Sequence, residues 1–147
     1  MTTALTSQIL GLAGNASRAL LERALTSSDL TYGQWVTLKL AADNAPTVDR
    51  AALTDQVADG VKATPEQALA CIADLTTRDL LASAPGEQSR VGLTPAGQAL
   101  YTRLSAELAP VTTRVYRDLP PDDLATAGRV LTMITTRINA ELDNERR

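Results

Sequence analysis

Residues 64–97 read TPEQALACIADLTTRDLLASAPGEQSRVGLTPAG, and this stretch spells a helix, a hairpin and a second helix start. Thr64-Pro65-Glu66-Gln67 opens the first helix. Thr is the cap, Pro takes the first helical position where its missing N–H costs nothing, and Gln67 completes a capping box. Ala68, Cys71, Ile72 and Leu75 recur at helical spacing as an apolar face. Leu80–Ala84 and Ser89–Leu93 then flank Pro85-Gly86-Glu87-Gln88. Pro followed by Gly suits a type II turn, because Gly supplies the positive φ. Thr94-Pro95 repeats the cap-then-proline start and opens a long helix.

Upstream, Asp49 can cap a helix with Ala52, Leu53 and Val57 inward, closing at Gly60. Two short helices joined by a tight glycine-containing turn form a helix-turn-helix, and the hairpin directly after them is a wing. Thr31-Tyr32-Gly33-Gln34 has the capping-box spacing and begins another short helix. Trp35, Leu38 and Ala42 share its face, and Asn44-Ala45-Pro46 breaks it. A loop, Thr26–Leu30, precedes it. The first segment runs from about Thr6 to Leu25, with Leu5, Ile9, Leu12, Ala16 and Leu20 at helical spacing. Gly11 and Gly14 interrupt it at roughly 1 kcal/mol each relative to Ala, so close packing or a subunit contact is expected there.

Downstream, Leu100, Leu104, Leu108, Val111 and Val115 stripe the long helix, which Pro110 is predicted to kink. Leu119-Pro120-Pro121 stops it, and Asp122 or Asp123 starts a last helix carrying Leu124, Val130, Leu131, Ile134, Ile138 and Leu142. Beside the prolines, Asp118, Asp122 and Asp123 read as a capping run. The predicted order is one long helix, three short helices, a hairpin and two long helices. Terminal helices with apolar stripes and no partner domain point to a helical dimer interface.

Length and composition agree with one domain spanning 1–147, mainly α with a small β-hairpin. Aromatics are 3% and Phe is absent, so Leu, Val, Ile and Ala must build the core. No apolar run approaches the ~20 residues of a membrane span and no signal peptide is evident, so the expected location is cytoplasmic. Histidine is absent, which removes the most frequent general base and metal ligand together. The lone Cys71 cannot build a cysteine-rich zinc site. With no glycine-rich phosphate loop and no paired nucleophile and base, the expectation is no enzyme, no catalytic residue, no metal and no cofactor.

Taken in order, Leu30-Thr31…Gln34-Trp35…Leu38…Leu40, Leu53-Thr54…Val57-Ala58, Ile72…Leu75…Arg78-Asp79-Leu80-Leu81 and Leu93-Thr94-Pro95-Ala96-Gly97 resemble the MarR (multiple antibiotic resistance regulator) family. Leu119-Pro120-Pro121-Asp122-Asp123-Leu124 resembles the linker before that family's last helix. The resemblance runs from about residue 7 to 143, and its most specific piece is Leu93–Gly97. It implies a winged helix-turn-helix lobe at about 30–93, with helices at about 1–25 and 95–147 joining a homodimer. It further implies a DNA-binding transcriptional regulator, a repressor on a pseudo-palindromic double-stranded operator. A small phenolic or lipophilic effector would release it, in a pocket between the dimer and DNA-binding lobes. Half-sites about one turn apart would match the dimer's symmetry.

Departures concentrate where DNA would be touched. Family members carry Arg or Lys on the exposed face of the reading helix and arginines in the wing. Here the helix positions read Leu69, Ala70 and Asp74, and Gly86-Glu87 occupy the wing. From Arg50 to Gly92 the net charge is −2. The candidate DNA contacts are therefore Lys62, Thr64, Gln67, Arg78, Gln88, Ser89 and Arg90, with Gln67 also able to read adenine. Arg90 is the only basic residue of the hairpin. Arg78 could instead complement a helix dipole or pair with a carboxylate. Tyr32, Trp35 and Tyr101 are the candidate effector contacts, with Trp35 equally suited to core packing. Cys71 reads as a buried small hydrophobe rather than a redox sensor. An alternative is a winged helix that binds a ligand or protein and has weak or no affinity for DNA.

Overall fold

The computed structural model describes residues 3–146. Its order is α1 (Ser7–Leu25), a 3-10 turn (Thr26–Ser28), α2 (Tyr32–Asp43), β1 (Val48–Asp49), α3 (Arg50–Val61), α4 (Pro65–Thr77), β2 (Leu81–Ala84), β3 (Glu87–Leu93), α5 (Pro95–Tyr116) and α6 (Pro121–Glu145). Packing divides the chain into two units, one through Pro110 and one from Val111 onward.

Capping chemistry sets the helix starts. Both predicted capping boxes form in full. Gln34 N donates to Thr31 Oγ1 at 3.2 Å while Thr31 N donates to Gln34 Oε1 at 3.1 Å. Gln67 N and Thr64 Oγ1 lie 3.1 Å apart, and Thr64 N reaches Gln67 Oε1 at 2.9 Å. Asp49 accepts from Ala52 N, and Thr6 from Ile9 N. Each such cap satisfies an amide that the helix start would otherwise leave orphaned. The last helix departs from expectation, because α6 begins at Pro121 with Pro120 as its cap and no side-chain cap bond. Asp122 and Asp123 sit in its first turn instead, where carboxylates complement the positive end of the helix dipole.

The turn between α3 and α4 also differs. Gly60 lies inside α3, and the left-handed residue that ends the helix is Lys62, with φ of 55°. The wing is a three-stranded sheet in the order β1-β3-β2, where the sequence suggested a two-stranded hairpin. Val48 pairs with Val91 and Asp49 with Arg90, a strand too short to leave a period in the sequence. The turn is tighter than expected, because β3 starts at Glu87 and pairs directly with Ala84. Gly86 then takes the positive φ of 78° that follows Pro85.

The core of the first unit is built from aliphatic side chains around Trp35, with Leu25, Leu38, Leu53, Ile72 and Leu104 fully buried. The start of α5 is locked onto it by Thr94 and Gly97. Thr94 Oγ1 accepts from Gly97 N at 3.0 Å and donates to Asp79 O, while Thr94 N donates to Leu80 O. A Cβ at Gly97 would collide with the Leu80 carbonyl, so that position has room only for glycine. Gly92 is held likewise against the Pro46 carbonyl.

Most of α1 lies outside this core: Leu25 alone is buried, while Leu5, Ile9 and Leu12 are exposed. Among the described residues, nothing beyond the helix's own backbone comes within 4 Å of a Cβ built at Gly11 or Gly14, so the close packing expected there is not made by them. Pro110 lies inside α5 without ending it. In the second unit none of the α6 residues is buried, and Val115, Tyr116, Leu119, Met133, Ile138 and Leu142 are exposed. Among the described residues no helix is long and apolar enough to cross a membrane, and no cluster of acidic or cysteine side chains is placed to hold a metal ion.

Candidate nucleic-acid interface and effector pocket

Helices α3 and α4 with the turn at Lys62-Ala63 form the helix-turn-helix, and β2–β3 form the wing. Ala68, Ile72 and Leu75 anchor α4 in the core. Its opposite face is therefore presented outward, carrying Glu66, Leu69, Ala70, Ala73 and Thr77, all exposed. Leu69 keeps 47% of its surface open. No basic residue occurs between Pro65 and Thr77.

The four cations between Arg50 and Gly92, Arg50, Lys62, Arg78 and Arg90, all have partners inside the chain. Arg50 donates to Ser83 Oγ at 3.2 Å. Lys62 Nζ lies 2.9 Å from Asp59 Oδ1. Arg78 donates to two carbonyls of the turn after α1, Ser28 O at 2.9 Å and Asp29 O at 3.2 Å, which ties α4 to that turn. Among the described residues it forms no salt bridge with a carboxylate. Arg90 is half-buried and grips Thr47, through Nε to Oγ1 at 3.0 Å and through its terminal nitrogen to the carbonyl at 3.1 Å. That bond fastens the wing to the segment before β1. The Lys62–Asp59 pair is exposed on both sides, so it contributes at most about 1 kcal/mol. Gln88 and Ser89 project from β3 in the open. Thr64 and the Oε1 of Gln67 are already used by the capping box.

A pocket of about 280 Å³ opens beside the turn. Arg18 of α1, Tyr32 and Gly33 of α2, Lys62, and Gln67 and Cys71 of α4 contribute to its wall. The Arg18 guanidinium lies 4.5 Å from the centroid of the Tyr32 ring, in cation–π range, and its Nε bonds Glu22 at 2.9 Å. Lys62 and Gln67 thus belong both to the helix-turn-helix and to the pocket wall. The three aromatic effector candidates are separated: Tyr32 lines the pocket, whereas Trp35 and Tyr101 stack on each other with centroids 5.7 Å apart and do not line it.

Cys71 is only half-buried, where the sequence placed it inside the apolar face. Glycine at position 33 makes its place, since a Cβ there would come within 3.1 Å of Cys71 Sγ. Burial pushes the Cys71 thiol up; a hydrogen bond with Thr37 works against this and the Asp74 carboxylate adds to it. Arg18 and Cys71 are pocket residues that sequence reasoning did not mark. Arg18 reads as an ordinary partner for Glu22 one turn on, and no local signal sets it against Tyr32.

No protein-family model matches the sequence, and no curated protein matches it. Solved structures do match. A MarR-family transcriptional regulator from Silicibacter pomeroyi agrees with a TM-score of 0.77 at 18% identity, covering 90% of this chain and 88% of that one. A MarR-family regulator from Rhodococcus sp. RHA1 agrees with a TM-score of 0.72 at 21% identity, over 91% of this chain and 98% of that one. BpsR of Bordetella bronchiseptica, whose DNA binding is regulated by 6-hydroxynicotinic acid, agrees with a TM-score of 0.69 at 21% identity, over 92% and 96% of the two chains. The chain has a MarR-like fold.

Proposed function

We propose that this chain is a homodimeric, DNA-binding transcriptional regulator, a repressor on a pseudo-palindromic operator that a small aromatic or phenolic compound releases. It has no catalytic role in this reading. The observation that carries it is a MarR-like fold whose one pocket described above borders the helix-turn-helix turn. A ligand there would press on Lys62, Ala63 and Gln67, the residues that set how α4 leaves the turn. With Arg18 and Lys62 on its wall, the pocket suits an anionic one-ring molecule, and about 280 Å³ sits at the small end of ligand sites.

The exposed Leu5, Ile9 and Leu12 of the first segment and Met133, Ile138 and Leu142 of α6 supply apolar surface for a second copy. A dimer would present two copies of α4 to successive major grooves, with Lys62, Arg90, Gln88 and Ser89 near the backbone. A mobility-shift titration with the DNA flanking its own gene tests this reading. A discrete retarded complex at low salt, lost on adding a benzoate-type acid, is expected. Dimeric protein that retards no DNA at low salt would overturn it.

One observation favours a second reading, a winged helix that binds ligand or protein without DNA. All four basic side chains of the reading head are engaged within the chain, and carboxylates outnumber them there. In that case the same titration stays blank while a benzoate-type acid still quenches or shifts Trp35 fluorescence.

A further inference from the structure

The reading face of α4 is chemically unusual for DNA, and its composition points to a specific feature of the duplex. Across Pro65–Thr77 there is no Arg or Lys to take guanine's O6 and N7. Gln67, the one residue suited to adenine, has its Oε1 committed to Thr64 N. Outward-facing Leu69, Ala70 and Ala73 are exposed, while Ala68, Ile72 and Leu75 of the same helix are buried. The major groove displays a single apolar group at its base edges, the 5-methyl of thymine. Glu66, on the same face, can only accept, and the groove's donors are base amino groups.

We infer that Leu69, with Ala70 and Ala73 beside it, determines operator specificity by packing on thymine 5-methyl groups. The inference rests on the proposed DNA-binding function. The deficit of phosphate-binding cations makes such contacts weigh more heavily. With little counterion release to hold the complex, apolar contacts at the base edge carry a larger share of the discrimination.

The test begins with selection of duplexes from a random-sequence pool at low salt, using the wild-type protein. The enriched duplex is then resynthesised with deoxyuridine for thymidine, which deletes the 5-methyl groups and leaves pairing and phosphates intact. We expect thymine-rich half-sites to be enriched, and affinity to fall roughly fourfold for each contacted methyl lost. Leu69→Ala should bring the thymidine-to-deoxyuridine affinity ratio toward one. Equal affinity of wild-type protein for both duplexes overturns the inference while leaving DNA binding intact. A pool that yields no enriched duplex overturns the DNA-binding function itself, and this inference with it. The deoxyuridine comparison uses unaltered protein, so it stands whether or not the variant folds.

Discussion

At the residue scale, Gly97 and Cys71 make the sharpest claims. Gly97 sits on the Leu80 carbonyl with no space for a side chain. Gly97→Ala is therefore expected to lower stability by about 1–3 kcal/mol, read as a drop in the urea midpoint at constant slope. An unchanged midpoint would contradict the packing. Cys71 carries a thiol that burial keeps protonated. Its folded-state pKa is raised, so its contribution to stability is complete below the unfolded value and fades as pH climbs through the folded one. Folded protein at pH 8.5 should react with iodoacetamide more slowly than urea-unfolded protein, and equal rates would contradict the burial. The helix start at Thr94-Pro95 was readable from sequence because cap and first-turn proline are local jobs, whereas the close approach of Gly97 to Leu80 was not. The surroundings of Cys71 were not readable. They depend on Gly33, thirty-eight positions earlier, and no periodicity links the two.

At the element scale, caps were the most legible feature. Thr31/Gln34 and Thr64/Gln67 close as predicted, since a capping box involves only residues three apart. Thr64→Ala should cost about 1 kcal/mol in thermal or urea unfolding. Because Thr64 also starts the reading helix, any affinity for DNA should fall with it. What sequence could not show was where long side chains go. Arg78 and Arg90 read as candidate DNA contacts, with Arg78 also suited to a helix dipole or a carboxylate, yet Arg78 bonds the turn after α1 and Arg90 bonds Thr47, at separations of 43 to 50 residues. With cations so occupied, DNA binding should have a shallow salt dependence. If Lys62 and Arg90 of each subunit supply the phosphate contacts, the slope of log K against log salt is about −4. A slope near −10 would mean that other surfaces hold the DNA. The two-residue β1 was invisible for a different reason, since strand patterning needs more residues than Val48 and Asp49 provide.

At the scale of the whole molecule, the distribution of burial matters most. The described core is drawn from Leu25 to Leu104, whereas no described residue of α6 is buried and α1 buries Leu25 alone, with Leu12 64% exposed. A helix whose apolar stripe stays partly exposed is suited to packing against a second copy, as in the proposed dimer. Leu12→Glu should accordingly raise the monomer fraction at fixed concentration. The terminal stripes were legible from their period, but their partner was not, because periodicity records that a face is apolar and not what covers it. Sedimentation velocity at micromolar concentration, alone and with a selected duplex, tests the central claim most directly. Two chains of 15.6 kDa per particle, and two per bound duplex, are predicted. A 15.6 kDa particle that leaves the duplex sedimenting on its own would contradict the account.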